Sequence, residues 1–176
     1  MSGVTEVASA ILTVAEPHSI RVILRPSSFL IRGEPFIVHS ILLDKNGRAM
    51  FAGDKILIRL TVEGEANVDL LRSTENGTLT DAVANNAGVF TVTARLHSIA
   101  GKILYRKVEG QISADVVDPL EIVPPELFVA ETDDIQEIQL EYKGGGNEPV
   151  TWSEVENEMM HVPLSATGQG VVTVRG

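Results

Sequence analysis

The chain has no cysteine among its 176 residues, which excludes a disulfide framework and a thiol nucleophile. This absence assigns no compartment, because a domain with an adequate apolar core needs no covalent staple. Aromatic residues are also scarce, at 5% of the chain, with Trp152 the single tryptophan. Basic residues nearly vanish from the last third: residues 121–176 hold Lys143 and Arg175 against 11 acidic side chains, a local charge of −9. Residues 18–120 are close to neutral, with 12 basic and 11 acidic side chains, and residues 1–17 add −2 through Glu6 and Glu16. A total of −10 concentrated in this way repels phosphate backbones, so nucleic acid is not an expected partner. No apolar run approaches the ~18 residues that span a bilayer, and no basic cluster precedes Glu16 as it would in a signal peptide. The segment therefore reads as soluble, with any signal or anchor of a longer protein lying outside it.

Catalytic and metal-binding patterns are missing as well. There is no G-x-S-x-G elbow, and no glycine-rich loop follows a strand and opens a helix to cradle phosphate. His18, His39, His97 and His161 fall on separate segments and never take the paired spacing of a metal site. Glu131, Asp133 and Asp134 form an acidic group, but the D-x-D-x-D-G calcium pattern is absent. The expectation is no metal, no cofactor and no enzymatic activity.

The chain does contain an abundance of period-2 alternation. Ile20, Val22 and Leu24 alternate with Arg21 and Arg25; Ile56, Ile58, Leu60 and Val62 alternate with Arg59 and Thr61; Phe90, Val92, Ala94 and Leu96 alternate with Thr91, Thr93 and Arg95. Each set reads as a half-buried strand. Residues 36–43, 68–71, 103–108 and 111–117 complete about seven strands in roughly 100 residues, the spacing of an antiparallel sandwich. Asn46-Gly47 supplies the positive φ angles of a tight turn after residues 36–43. Residues 73–86 read as a polar loop with two turn signals, Asn76-Gly77 and Asn85-Asn86. No window sustains the i, i+3, i+4 pattern of a helix.

A boundary signal occurs twice. A strand, an acid and a proline precede a new strand at Glu16-Pro17 and again at Asp118-Pro119, about 102 residues apart. The chain is accordingly divided into a terminal strand of a preceding repeat (1–17), one complete domain (18–119) and a partial domain (120–176). The partial domain opens with 120–123 and carries a strand over 135–142, with Ile138, Leu140 and Tyr142 on one face. It then turns through Gly144-Gly145-Gly146 into Val150 and Trp152. Trp152 is its expected fold anchor, the largest apolar burial in that unit. With about two strands missing, this unit has an open edge, and residues 7–14 of a second copy are candidates to fill it by strand addition. Self-association is expected on this ground. Asn76-Gly77-Thr78 matches the N-glycosylation acceptor pattern in the most polar loop, where exposure is expected, so Asn76 is the candidate glycosylation site.

Ile122-Val123-Pro124-Pro125, Tyr142-Lys143-Gly144-Gly145, Val150-Thr151-Trp152-Ser153 and Gly170-Val171-Val172-Thr173 together resemble a bacterial Ig-like (group 2) domain. The first domain, through Leu42-Leu43-Asp44-Lys45-Asn46-Gly47-Arg48, Ala52-Gly53-Asp54-Lys55-Ile56 and Asn76-Gly77-Thr78, is similar to repeats of the nuclear pore membrane glycoprotein 210 family. Leu12-Thr13-Val14-Ala15-Glu16-Pro17 resembles the junction between such repeats. The resemblance implies an all-β tandem Ig-like β-sandwich and a structural role in the lumen of the nuclear envelope and endoplasmic reticulum. Its implied partners are adjacent Ig-like repeats and other nuclear pore or lumenal proteins, and its parent is membrane-anchored. The other class that fits the same turns is an Ig-like adhesion or macroglobulin-type binding module of a surface or secreted protein.

Overall fold

The computed structural model describes residues 14–27, 29–104, 106–123, 125, 135–146 and 171–175. Those residues contain strands and turns only. In chain order the strands are β1 (Ser19–Arg25), β2 (Leu30–Ile31), β3 (Pro35–Leu43), β4 (Ile56–Gly64), β5 (Val68–Ser73), β6 (Leu79–Ala84) and β7 (Gly88–Ile99). They continue with β8 (Lys102–Ile103), β9 (Glu109–Val117), β10 (Glu121–Val123), β11 (Ile135–Gln139), β12 (Glu141–Lys143) and β13 (Val171–Arg175).

Two sheets form one sandwich. The first has the order β1-β3-β6-β5, and the second β2-β9-β7-β4 with β8 on β7. These are the ABED and CFG orders of the immunoglobulin constant-type sandwich, so the fold is all-β and Ig-like. Its extra strand, β2, runs parallel to the end of β9, Leu30 opposite Val116 and Ile31 opposite Val117. Between the sheets lie Ile20, Val22, Leu24, Phe36, Val38, Leu42, Ile58, Phe90, Val92, Leu96, Val108 and Val116, all buried. Large residues face small ones: Phe36 opposes Ala82 on β6 and Phe90 opposes Ala114 on β9. This leaves room for the two rings, whose centroids are 5.7 Å apart and tilted by 42°.

Several expectations are corrected. Residues 73–86 are not a loop, for β6 lies within them as an interior strand of its sheet. Its inward side chains are Thr80, Ala82 and Ala84, and these small or polar residues hide a fully buried face. The turn after β3 takes positive φ at Gly47 alone, not at Asn46; it closes a bridge between Leu43 and Ala49, after which β4 crosses to the other sheet. The expected strand over 103–108 shrinks to β8. On β4 the inward positions face the core as expected, but only Ile58 is fully buried, because β4 is an edge strand.

Beyond Pro119 the expected single strand over 135–142 divides at Leu140. Its first part, β11, pairs with β13, and its second, β12, pairs with β10. The β10–β12 pair repeats the start of the sandwich: Ser19 opposes Leu43 and Glu121 opposes Lys143, offsets of 102 and 100 residues. Residues 7–13, Val150 and Trp152 lie outside the described residues.

Candidate functional site

Titratable side chains gather at one place, the entry to the sandwich, where Glu16, His18, Asp44, Lys45, Arg48 and Arg106 line a cleft of about 420 Å³. His18 stands where the chain enters the sandwich, His39 faces outward from β3 and His97 lies on β7, while His161, Glu131, Asp133 and Asp134 are outside the described residues. Among the described residues no three His, Cys, Asp or Glu side chains come together as a metal site. A cleft of about 460 Å³ opens where β1 and β9 part, lined by Val22, Leu24, Phe29, Ile112 and Ala114; Asp115 is its one titratable group. A set of contacts converges at each acid–proline boundary.

At the entry to the sandwich, Arg106 reaches back to the incoming chain. One guanidinium nitrogen donates to the Pro17 carbonyl and another lies 3.5 Å from Glu16 Oε2. The His18 amide donates to the Leu43 carbonyl at 2.8 Å, which ties the entry to the turn after β3. Asp44 organises that turn. Its Oδ1 accepts from the amides of Asn46 (2.8 Å) and Arg48 (2.9 Å), and its Oδ2 accepts from Arg48 Nε at 2.8 Å. The Arg48 amide, with the Arg48 guanidinium and the Asn46 amide, holds the Asp44 carboxyl below its ordinary value of 3.8, against the opposing effect of burial.

The exit repeats the device with other residues. Arg32, in the turn after β2, places its Nε 3.0 Å from Asp118 Oδ1, and its amide donates to the Val117 carbonyl at 2.9 Å. The glycine corner then folds back on the same residues: the Gly145 amide donates to the Asp118 carbonyl at 2.8 Å. Gly144, Gly145 and Gly146 all have positive φ, +77°, +74° and +69°, a region that costs other residues about 1–2 kcal/mol each. The lack of side chains is also a steric requirement. A Cβ on Gly144 would sit 2.0 Å from the Pro119 carbonyl oxygen, and one on Gly146 would sit 2.8 Å from Val117 Cγ1. The corner occupies, after β12, the position that the Asp44 turn occupies after β3. The Asp44 turn thus lies beside His18 and the glycine corner beside Asp118 and Pro119.

Asn76 sits in the turn between β5 and β6, half-buried and not exposed as expected. Its Nδ2, the atom a glycan would take, donates to the Ala52 carbonyl at 2.9 Å, and its Oδ1 accepts from the hydroxyls of Thr74 and Thr78. The Asn76 carbonyl accepts from the Ile58 amide at 2.9 Å, where the register of β4 shifts. Gly77 follows at φ +72°, with room for no Cβ, since one would lie 2.1 Å from the Ile58 carbonyl oxygen. The triplet therefore acts as a pin between the two sheets. The sequence shows its Asn-Gly turn but not its partner, which is 24 residues away.

Comparison with protein-family models and with curated proteins found no match.

Proposed function

We propose that this chain is a non-catalytic structural segment of a tandem Ig-like array, from the lumenal part of a nuclear pore membrane glycoprotein. There it would contribute to lumenal assembly and anchoring of the pore complex. The observation that carries the array reading is the repeated junction. Glu16-Pro17 and Asp118-Pro119 each meet an arginine of the sandwich between them, and the β1–β3 pairing recurs as β10–β12 at an offset of 100–102 residues. In such an array the working property is the angle held from one unit to the next, and both ends of this sandwich carry contacts that hold it. The nuclear pore assignment itself rests on the resemblance of the turn and junction motifs, and its partners are then neighbouring repeats and other pore or lumenal proteins.

Immunogold electron microscopy of the full-length protein is the direct test. Label on the lumenal side of the nuclear envelope at pores is the expected result. Label at the cell surface or in the medium would sink the assignment and favour the adhesion or macroglobulin-type class.

A further inference from the structure

Asn46 and Asn76 precede glycine, whereas the other asparagines of the chain precede Val68, Asn86, Ala87, Glu148 and Glu158. The Asn-Gly pair has a chemical consequence apart from its turn geometry. Asparagine is a thermolabile side chain, and a glycine after it has no Cβ to shield the amide nitrogen that can attack its side-chain carbonyl carbon. As sequence the two pairs are equivalent. The fold makes them different.

Asn76 is held in place. Its Nδ2 donates to the Ala52 carbonyl at 2.9 Å, and its Oδ1 accepts from the Thr74 and Thr78 hydroxyls at 2.9 and 2.8 Å and from the Thr78 amide at 3.2 Å. Gly77 beside it is buried against the Ile58 carbonyl. Asn46 is exposed, and its side chain makes no hydrogen bond among the described residues. Gly47 is exposed too, with nothing within 4 Å of the place a Cβ would take. The backbone nitrogens do not separate the two sites, since Gly47 donates to the Asp44 carbonyl at 3.0 Å and Gly77 to the Thr74 carbonyl at 2.9 Å. The freedom of the asparagine side chain does.

We propose that Asn46 is a site of spontaneous modification, deamidating through a cyclic imide to aspartate and isoaspartate, and that its hydrogen bonds protect Asn76 from the same reaction. The Gly47 nitrogen gives up its proton and bonds to Asn46 Cγ. The Cγ–Nδ2 bond breaks, and the side-chain nitrogen leaves with that proton as ammonia. Water then opens the imide. Attack at Cγ yields aspartate on the ordinary backbone, and attack at the main-chain carbonyl of residue 46 yields isoaspartate, whose backbone runs through Cβ and Cγ. Water is the only co-reactant.

Either product alters the entry to the sandwich. Asn46 lines the entry cleft with Glu16, Asp44, Arg48 and Arg106, so a new carboxylate there competes with Asp44 for the Arg48 guanidinium. Isoaspartate does more. The amides of Asn46 and Arg48 donate to Asp44 Oδ1 and that of Gly47 to the Asp44 carbonyl. An extra backbone atom between residues 46 and 47 moves the last two donors away from their acceptors, and with them the Leu43–Ala49 bridge that the turn closes. The turn beside the incoming chain thus carries a slow, one-way loosening. The corner at Gly144-Gly145-Gly146 has no Asn-Gly pair and lacks it.

The test incubates the full 176-residue chain for days at neutral pH and body temperature, with a parallel sample in unfolding urea. Each Asn-Gly peptide is then scored by mass spectrometry for asparagine lost and isoaspartate gained. In the folded chain Asn46 should react about tenfold or more faster than Asn76, the suppression expected where several hydrogen bonds must first break. In urea that protection is gone, and the two rates should agree within about threefold. Asn46→Gln should abolish the fast reaction while its thermal melt stays that of the parent. The deamidated chain, separated by ion exchange, should show faster amide hydrogen exchange at Arg48 with Val92 unchanged. Equal rates at the two sites in the folded chain, a faster Asn76, or an Asn46 that reacts only in urea would each overturn the proposed site. Unchanged exchange at Arg48 in the deamidated chain would overturn the loosening.

Discussion

Gly144→Ala tests whether the glycine corner is a clasp on the junction or an ordinary turn. Alanine at φ +77° costs about 1–2 kcal/mol of backbone strain. Its Cβ would lie 2.0 Å from the Pro119 carbonyl oxygen, whereas unstrained carbon–oxygen contacts begin near ~3.3 Å. The corner must therefore retreat by more than an ångström, which breaks the Gly145–Asp118 hydrogen bond, itself worth about 0.5–1.5 kcal/mol. Together these make local opening easier by about 2–3 kcal/mol, or roughly 30- to 150-fold in the opening equilibrium. The core of the sandwich is untouched, because neither Pro119 nor Gly144 belongs to it. Amide hydrogen exchange read by NMR is the assay: faster exchange at Gly145 and Tyr142, with Val38 and Val92 unchanged. Gly47→Ala is the control for strain alone, since it has φ +76° with nothing within 4 Å of the added carbon; its effect should stay near 1–2 kcal/mol and be confined to its own turn. Unchanged exchange at Gly145 would refute the clasp. Equal acceleration at Val38 and Val92 would also refute it, by showing that the corner and the sandwich open as one unit.

Three further outcomes are expected. Asn76→Ala, made in a host that adds no glycan, should lower stability by about 1–2 kcal/mol in urea unfolding, because the Ala52 carbonyl loses its donor; a neutral result would return the triplet to the role of a plain exposed turn. Phe90→Ala should cost about 3–5 kcal/mol, given its 1% exposure and its contact with Phe36, and a loss under ~1 kcal/mol in chemical denaturation would mean the core is not packed as described. The Asp44 carboxyl has its folded value below 3.8, so its stabilising contribution is complete above that pH and fades as pH falls through the folded value. The gap in urea midpoint between the parent and Asp44→Asn should accordingly be widest near pH 5 and narrow toward pH 2; a gap independent of pH would show that the charge plays no part.

Strands were legible where large apolar residues alternate with polar ones, as on β1 and β7. β6 was hidden because its inward residues, Thr80, Ala82 and Ala84, are small or polar; Ala82 stands directly opposite Phe36, which fills the space beside it. β2 is two residues long and pairs in parallel with a strand at the far end of the domain, and no local pattern encodes that. Alternation through Ile138, Leu140 and Tyr142 marks faces and not partners, so the change of partner at Leu140 left no trace in the sequence. At the junctions the acid–proline pairs could be read, but their arginines could not. Arg106 lies 90 residues from Glu16, and an exposed arginine in a turn has no signal that names its acid.

The two turns that meet the junctions solve one topological problem with opposite chemistry. After β3, Asp44 bends the chain with its own carboxylate, which needs only one positive φ, at Gly47, but makes the turn depend on a titratable group. After β12 the corner uses three consecutive positive φ angles and no side chain at all. That choice gives up the capping bonds of an aspartate and gains approach: the Pro119 carbonyl can come closer to Gly144 than any Cβ permits. Side-chain capping suits a turn that shapes itself, whereas bare backbone suits a turn that must lie against a neighbour. By this argument the exit junction is held by contact with the corner as well as by the Arg32–Asp118 pair. An exposed ion pair contributes at most about 1 kcal/mol, so the Gly145–Asp118 hydrogen bond, at about 0.5–1.5 kcal/mol, is comparable to it in what it contributes at this junction.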